Sequence, residues 1–207
     1  STKAVVVHDG FDTEGFERTD QVGATSGGPI TIGLCSRVAF QKGVHLFCEI
    51  AEAYASDKEI KFIHFGGKAN SYEQDDYEAD LRNRYSTCVE WISYSNSVAD
   101  FFQSIDIFIL PAVDDEAFGR VIVEAMMCGV PCIATRCGGP EEIIIDGETG
   151  FLVEADVPSL KKKLDQLIDD PELRKKIGLN AFGKSRSQFS ILAYTENLIV
   201  NYPVRLQ

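Results

Sequence analysis

Short apolar runs alternate along the chain with stretches in which apolar residues recur at helical spacing. The runs are hydrophobic without alternation, as at residues 107–110, which is typical of strands covered on both faces. They predict strands at residues 4–7, 30–35, 61–66, 88–92, 106–110, 130–135 and 151–153. The stretches between them predict helices at residues 44–55, 72–85, 98–104, 119–128 and 140–145. This order predicts an α/β fold, a doubly wound parallel sheet of the Rossmann-like type.

Both ends of the chain depart from this alternation. Residues 8–29 contain five acids and a stretch rich in glycine and serine, which suits a linker better than a core element. The strand at 4–7 therefore precedes a linker, as if it belonged to another domain. Three amphipathic helices, at residues 157–168, 171–188 and 191–201, follow the last strand. We predict three parts, namely the end of a preceding domain with an interdomain linker (1–29), a Rossmann-like domain (30–189) and a C-terminal return helix (190–207).

Composition and charge narrow the possible ligands. The 207 residues include 20 basic and 32 acidic ones, a net charge of −12. This charge excludes the uniform basic field that nonspecific binding of nucleic acid requires, so an anionic ligand needs a local basic site. No run approaches the ~20 apolar residues of a membrane-spanning helix, and the first residues do not resemble a signal sequence, so we expect a soluble, cytoplasmic protein.

The positions of the cysteines and the absence of several motifs argue against other classes of protein. The six cysteines lie mostly in apolar runs, which suits buried thiols in a reducing compartment. The spacing of Cys128, Cys132 and Cys137 does not fit a zinc site, and we predict no metal. Neither GxGxxG nor GxxxxGK[ST] follows a predicted strand, and the chain has no GxSxG, which argues against dehydrogenases, P-loop enzymes and serine hydrolases. The one GxxxxGKS match, at residues 178–185, lies within the predicted helix 171–188 and not between a strand and a helix. His8, His45 and His64 have no partner at catalytic spacing, so we predict structural roles for them.

Ligands of an open parallel sheet bind beyond the carboxyl ends of its strands, so the loops there are the candidate sites. The loop after the strand at 30–35 carries Arg37 and Lys42 before a helix start. A forked guanidinium and a point ammonium suit a diphosphate. Two solvated loop charges are the alternative.

A second loop leads into the helix that begins near Gly119. The amides of Phe118, Gly119, Arg120 and Val121 would lie at the helix N-terminus, which attracts phosphate. Glu124 is the only charged residue in the run 121–127 and requires a hydrogen-bonding partner, for which the vicinal hydroxyls of a ribose are suitable. Glu116 precedes the helix and would stand at the mouth of the site, facing a sugar. A helix-dipole acid and a structural glutamate are the alternatives.

Two further loops are less specific by themselves. Gly138 and Gly139 precede Pro140 and two acids, an ordinary tight turn and helix start. Residues 91–96 follow another strand, and a nucleobase could stack there or meet backbone groups. An aromatic core with a helix cap is the alternative.

Together these motifs resemble the donor-binding half of a retaining, family-4-type glycosyltransferase with the GT-B fold. The resemblance covers nearly the whole chain, and two glutamates separated by seven residues are the signature of that family. The motifs, in order, are Ser36-Arg37-x4-Lys42-Gly43, Leu110-Pro111, Glu116-Ala117-Phe118-Gly119-Arg120-Val121-x2-Glu124, Gly129-Val130-Pro131, Gly138-Gly139-Pro140-Glu141-Glu142 and Asp146-Gly147-x-Thr149-Gly150.

The resemblance implies a role for each matching position. Arg37 and Lys42 would neutralise the diphosphate of a nucleotide-sugar donor, with no cofactor and no metal required. Glu116 would contact the transferred sugar, with Gly138 and Gly139 nearby, and Glu124 would bind the ribose. The phosphate and sugar region would be bound by the backbone amides of Phe118, Gly119, Arg120 and Val121. The base would be contacted by Ile92, Ser93 and Tyr94.

The chain departs from the family pattern at three positions and lacks one half of it. Ser36, Ser93 and Ala117 stand where glycine is common, which shifts the expected base and phosphate contacts. A GT-B enzyme reacts in the cleft between two halves, so we expect an acceptor glycan, lipid or small molecule to bind through an N-terminal half that would precede Val5. A peripheral membrane association through that half stays open. The alternatives are a noncatalytic nucleotide-binding or partner subunit and a GT-B-fold nucleotide-sugar epimerase.

Overall fold

The computed structural model describes residues 10–16, 28–67, 72–94 and 97–201, and the side chains of all of these except 72–75. The predicted strand at 4–7 lies outside the described residues. Because most of the linker predicted at 8–29 also lies outside them, the division into three parts stays a prediction.

Six parallel strands form one sheet in the described part of the chain. They are β1 (Ile30–Cys35), β2 (Ile60–Gly66), β3 (Val89–Ser93), β4 (Ile107–Leu110), β5 (Cys132–Thr135) and β6 (Phe151–Val153). Their order across the sheet is β3-β2-β1-β4-β5-β6. Every residue of β4 and β5 is buried, as their continuous hydrophobicity predicts. The strand order reverses between β1 and β4, so the loops after these two strands diverge and leave a crevice at this point.

Helices cover both faces of the sheet. They are α1 (Val44–Ala53), α2 (Tyr72–Arg84), α3 (Val98–Gln103), α4 (Arg120–Met127), α5 (Gly139–Ile143), α6 (Val157–Asp169), α7 (Pro171–Gln188) and α8 (Ile191–Asn201). Helix α1 packs against α6, whereas α4 packs against α3 and α7. Right-handed crossovers in opposite directions from the centre of the sheet place α1 and α4 on opposite faces. No helix among the described residues is both long enough and apolar enough to cross a membrane.

The predicted elements within the described residues are confirmed, with small shifts at their ends. The fifth strand of the sheet was predicted from residue 130 but begins at Cys132, because Pro131 has no N–H for a strand ladder and Gly129 turns with a positive φ. The helix predicted at 140–145 ends at Ile143, because Ile144 is extended. A short 3₁₀ helix, Phe40–Lys42, was not predicted.

The buried side chains explain the roles of the cysteines and of His64. Four cysteines are buried as predicted, and Cys88 and Cys137 are half-buried. His64 on β2 is fully buried, and neither ring nitrogen has a hydrogen-bond partner among the described residues. Burial, together with the nearby charge of Arg82, lowers the pKa of His64 to about 3. The ring is therefore neutral in the folded protein, consistent with a structural role.

His64 should make the domain sensitive to acid. The unfolded histidine takes up a proton below pH ~6.5, whereas the folded one resists protonation until near pH 3, so the stability due to the neutral ring is lost as the pH falls between these values. We expect His64→Leu to reduce the loss of unfolding free energy between pH 7.5 and pH 5 by about 2 kcal/mol. Urea unfolding of both proteins at both pH values measures this. An equal loss in the two proteins would show that His64 does not titrate in this way.

Candidate functional site

A cleft of about 340 Å³ opens at the point where the strand order reverses, beyond the carboxyl ends of β1 and β4. The loop after β1 supplies one wall, and the loop from β4 to α4 supplies the other. The residues that line it are Cys35, Ser36, Arg37, Lys42, Leu110, Glu116, Ala117, Phe118, Gly119, Arg120 and Val121. The residues predicted from two separate loops therefore share one cavity.

The wall after β1 carries two of the three cations found among the described residues of the cleft. Arg37 is exposed, and Lys42 ends the 3₁₀ helix. Gly43 follows with φ +65°, and its N–H donates to the carbonyl of Phe40. A Cβ atom on Gly43 would lie 1.7 Å from the carbonyl oxygen of Pro111, so the backbone after Lys42 packs directly on the loop after β4. This close approach determines the position of the backbone from which the Lys42 side chain extends.

Glu116 on the opposite wall is held by the loop that contains Gly138 and Gly139. Its N–H donates to the carbonyl of Cys137 at 2.8 Å, and its carbonyl accepts from the N–H of Gly139 at 2.7 Å. A Cβ atom on Gly139 would lie 2.3 Å from the backbone of Phe118, so a larger residue would displace this wall. The two glycines therefore support Glu116 and Phe118 and are absent from the cleft lining.

An ion pair crosses the cleft. The Lys42 Nζ atom lies 2.5 Å from the Glu116 Oε2 atom, and the side chains are 26% and 15% exposed. Both residues were predicted from the sequence, but their direct contact was not. No local signal indicates it, because 74 residues separate the two in the chain.

The amino end of α4 faces the same cleft. Gly119 is its N-cap, with φ +90°, and no side-chain hydrogen bond caps the helix there among the described residues. Helix N-termini of this kind attract anions. Glu124 lies one turn further along and is half-buried, and no described residue donates a hydrogen bond to its carboxylate. Burial raises the pKa of Glu124, and the charge of Arg120 opposes this rise. The hydrogen-bonding partner predicted for Glu124 is therefore absent from the described protein groups.

Phe11 was not identified from the sequence but contacts the site from behind. It is buried, and its N–H and carbonyl bond to Phe189 and Ile191 at the junction of α7 and α8. Its ring lies 6.2 Å from the ring of Phe118, and the Arg120 guanidinium lies 4.6 Å from its centroid. Its only sequence signal was its place in the interdomain linker predicted within residues 1–29.

A second cavity of about 520 Å³ lies at the carboxyl ends of β2 and β3. Its lining residues are Gly66, Gly67, Glu78, Ala79, Arg82, Ser93 and Tyr94. Ser93 and Tyr94 were predicted to meet a base, whereas Ile92 does not line the cavity. The two cavities adjoin, because the main chain of Gly66 packs against the carbonyl of Ser36 in the first cleft.

Two residues beside the cations complete the floor of the first cleft. The Ser36 Oγ atom is buried and has no hydrogen-bond partner among the described residues. Burial raises the pKa of the Cys35 thiol to about 12, and the charge of Glu124 adds to this rise, so Cys35 is a neutral thiol.

Within the described ranges, no group of three or more His, Cys, Asp or Glu side chains could hold a metal ion.

This six-stranded parallel sheet with its flanking helices is the fold of the GT-B Rossmann-like C-terminal domain of glycosyltransferases. The sequence profile described as "Glycosyl transferases group 1" matches residues 16–184. The chain belongs to this family.

Relatives and solved structures agree with this assignment. The chain is 30% identical, over 81% of its length, to "Capsular polysaccharide biosynthesis glycosyltransferase CapM" of Staphylococcus aureus, and it spans 44% of that relative. It superposes with TM-score 0.83 and 22% identity on Anabaena Alr3699/HepE in complex with UDP, covering 95% of this chain and 56% of that one. The C-terminal domain of the group 1 protein LpcC from Francisella tularensis matches with TM-score 0.76 and 27% identity, covering 88% of this chain and all of that one. The chain thus spans about half the length of the longer proteins that it matches.

Proposed function

We propose that this chain is the donor-binding domain of a retaining, family-4-type glycosyltransferase, which transfers a sugar from a nucleotide-diphosphate sugar to an acceptor hydroxyl. The observation that carries the proposal is the single cleft in which Arg37, Lys42 and the amino end of α4 converge. The net charge of the chain is −12, so a local cluster of this kind is what an anionic ligand requires. The UDP and UDP-glucose complexes of Alr3699/HepE, whose fold is similar, support a donor of this class.

Each part of the donor has a proposed partner. Arg37 and Lys42 neutralise the diphosphate, with the amides of residues 118–121 beside it. Glu116 accepts hydrogen bonds from the hydroxyls of the transferred sugar. Glu124 binds the ribose, and this ligand would provide the hydrogen bonds that the described residues do not supply. The base lies in the second cavity, against Ser93 and Tyr94.

The same groups then stabilise the leaving diphosphate. In the proposed retaining reaction, the diphosphate departs from the face of the sugar that the acceptor approaches, and one of its oxygens takes the acceptor proton. Arg37, Lys42 and the α4 dipole offset the negative charge that develops there, so no metal is required for this step. The acceptor binds through a further domain, as the length of the relatives suggests, and the reaction takes place in the cytoplasm. This chain alone therefore binds donor but transfers little sugar.

Calorimetric titration with UDP, GDP and ADP tests the proposal. We expect one of the three to bind, and we expect Lys42→Met and Arg37→Met each to weaken its affinity roughly tenfold, because each removes a charge-assisted contact to phosphate. Lys61→Met is the matched control. Lys61 is an exposed cation near the amino end of β2, paired with Glu90, and its loss should leave the affinity unchanged.

Two results would contradict the proposal. One is folded wild-type protein that binds none of the three nucleotides. The other is a nucleotide that binds equally well to the wild type and to both cleft variants, which would place the nucleotide elsewhere. The noncatalytic and epimerase alternatives have no specific support in the described residues.

A further inference from the structure

The ion pair between Lys42 and Glu116 joins two groups that the proposed function assigns to different parts of the donor. Lys42 is assigned to the diphosphate and Glu116 to the sugar. In the structure, the ammonium of Lys42 lies 2.5 Å from the carboxylate of Glu116. A carboxylate oxygen therefore takes one of the three N–H donors of the Lys42 ammonium and neutralises the charge that a phosphate oxygen would otherwise meet.

The pair lies between two walls that are fixed at the level of the backbone. Gly43 packs against the carbonyl of Pro111, which anchors Lys42 from one side. The main-chain bonds of Glu116 to Cys137 and Gly139 anchor the carboxylate from the other side. Because both loops are fixed, the ion pair is broken by rotation of side chains rather than by movement of a loop.

The two states of the nucleotide differ in what they offer Glu116. An intact sugar nucleotide brings hydroxyl groups, which can donate hydrogen bonds to the carboxylate as it leaves Lys42. A free nucleoside diphosphate brings no such donor and adds negative charge at its terminal phosphate. In that complex, the Glu116 carboxylate would lose its ion pair with Lys42 and receive no hydrogen bond from the ligand. Water would compensate it little, because only 15% of its side chain is exposed.

We propose that Glu116 competes with phosphate for Lys42 and thereby makes the site prefer an intact nucleotide-sugar donor over the free nucleoside diphosphate that the reaction releases. This inference rests on the proposed function and deepens it. The competition weakens the product complex and favours its release, whereas a donor compensates Glu116 through its sugar hydroxyls.

The test is calorimetry on the full chain and on Glu116→Gln, which keeps the shape of the side chain and removes its charge. Three ligand pairs are titrated: UDP with UDP-glucose, GDP with GDP-mannose, and ADP with ADP-glucose. For the pair that binds the wild type, we expect Glu116→Gln to bind the free diphosphate roughly three- to tenfold tighter, since it no longer competes for Lys42. We expect the variant to bind the sugar nucleotide no tighter than the wild type, so its preference for the donor falls.

Two further variants separate this explanation from others. Glu124→Gln affects the ribose contact that both ligands share, so it should weaken both by the same factor and leave the preference unchanged. Lys42→Gln removes the group for which Glu116 competes. In that background, the gain of diphosphate affinity from Glu116→Gln should largely disappear. Thermal unfolding of each variant checks that the domain is folded.

Three outcomes overturn the inference, and only one of them touches the proposed function. The first is that Glu116→Gln binds the free diphosphate no tighter than the wild type does. Lys42 would then bind Glu116 and phosphate at the same time, and the two would not compete for it. If the gain persists at full size without Lys42, the ion pair is not its source. If folded wild-type protein binds none of the nucleotides, the proposed function itself fails, and the inference fails with it.

Discussion

Gly43→Ala is expected to destabilise the domain by about 3–4 kcal/mol and to reduce nucleotide affinity more than tenfold. Gly43 has φ +65°, where a side chain adds strain of roughly 1 kcal/mol. Its Cβ atom would also lie 1.7 Å from the carbonyl oxygen of Pro111 and 2.6 Å from its carbon. Neither backbone can yield without moving the loops on both sides of the cleft. Lys42, the preceding residue, would move with them.

Urea unfolding and calorimetry measure the two effects, and Gly183→Ala is the matched control. Gly183 is exposed within α7, and a Cβ atom there meets nothing within 4 Å. Alanine at that position should stabilise the domain by about 0.5–1 kcal/mol, because it favours the helix. A Gly43→Ala protein within about 1 kcal/mol of the wild type, with normal affinity, would show that the two loops separate easily.

Arg174→Ala is expected to cost about 3–5 kcal/mol of unfolding free energy. Arg174 on α7 is the largest fully buried side chain among the described residues. Its Nη1 atom donates to the carbonyls of Leu167 and Ile168, at 2.6 and 3.3 Å, where α6 ends. Alanine would leave a cavity and remove the donor from these helix-end carbonyls. Urea unfolding at pH 7 measures the loss.

Arg174→Met separates the volume of this side chain from its charge. The Nε and Nη2 atoms are buried and have no hydrogen-bond partner within the described part of the chain, and burial lowers the pKa of Arg174 against the opposing charges of Asp106 and Asp170. Methionine is an apolar side chain of similar size. It loses the contacts to the two carbonyls but no longer buries unpaired N–H groups, so we expect the free energy of unfolding to fall by only about 1 kcal/mol. If methionine is as destabilising as alanine, the hydrogen bonds rather than the packing dominate.

The elements of the fold could be predicted because their signals are local. The runs at β4 and β5 are apolar at every position, and both strands are buried. Ends were less accurate where a single residue changes the backbone, as at Pro131 before β5 and at Ile144 after α5. The 3₁₀ helix before Gly43 was missed, since three residues give no periodic pattern.

The candidate site could be predicted only in part. Arg37, Lys42 and Glu116 follow strands, and the carboxyl ends of parallel strands share one edge, so sequence position was enough to place them together. The supporting roles of Gly138 and Gly139 and the contact of Phe11 with Phe118 and Arg120 were not predicted. These depend on close approaches between segments that are far apart in the chain.

The sequence by itself determined the order of strands and helices, the parallel sheet and the loops that carry candidate chemistry, because periodicity and charge placement are properties of neighbouring residues. The tertiary structure alone decided that Lys42 is paired with Glu116, that Arg174 is buried, and that Ser93 and Tyr94 line one cavity while Arg37 and Lys42 line another. Each of these depends on distances between side chains that the sheet brings together from distant parts of the chain. A linear pattern of residue types does not contain those distances.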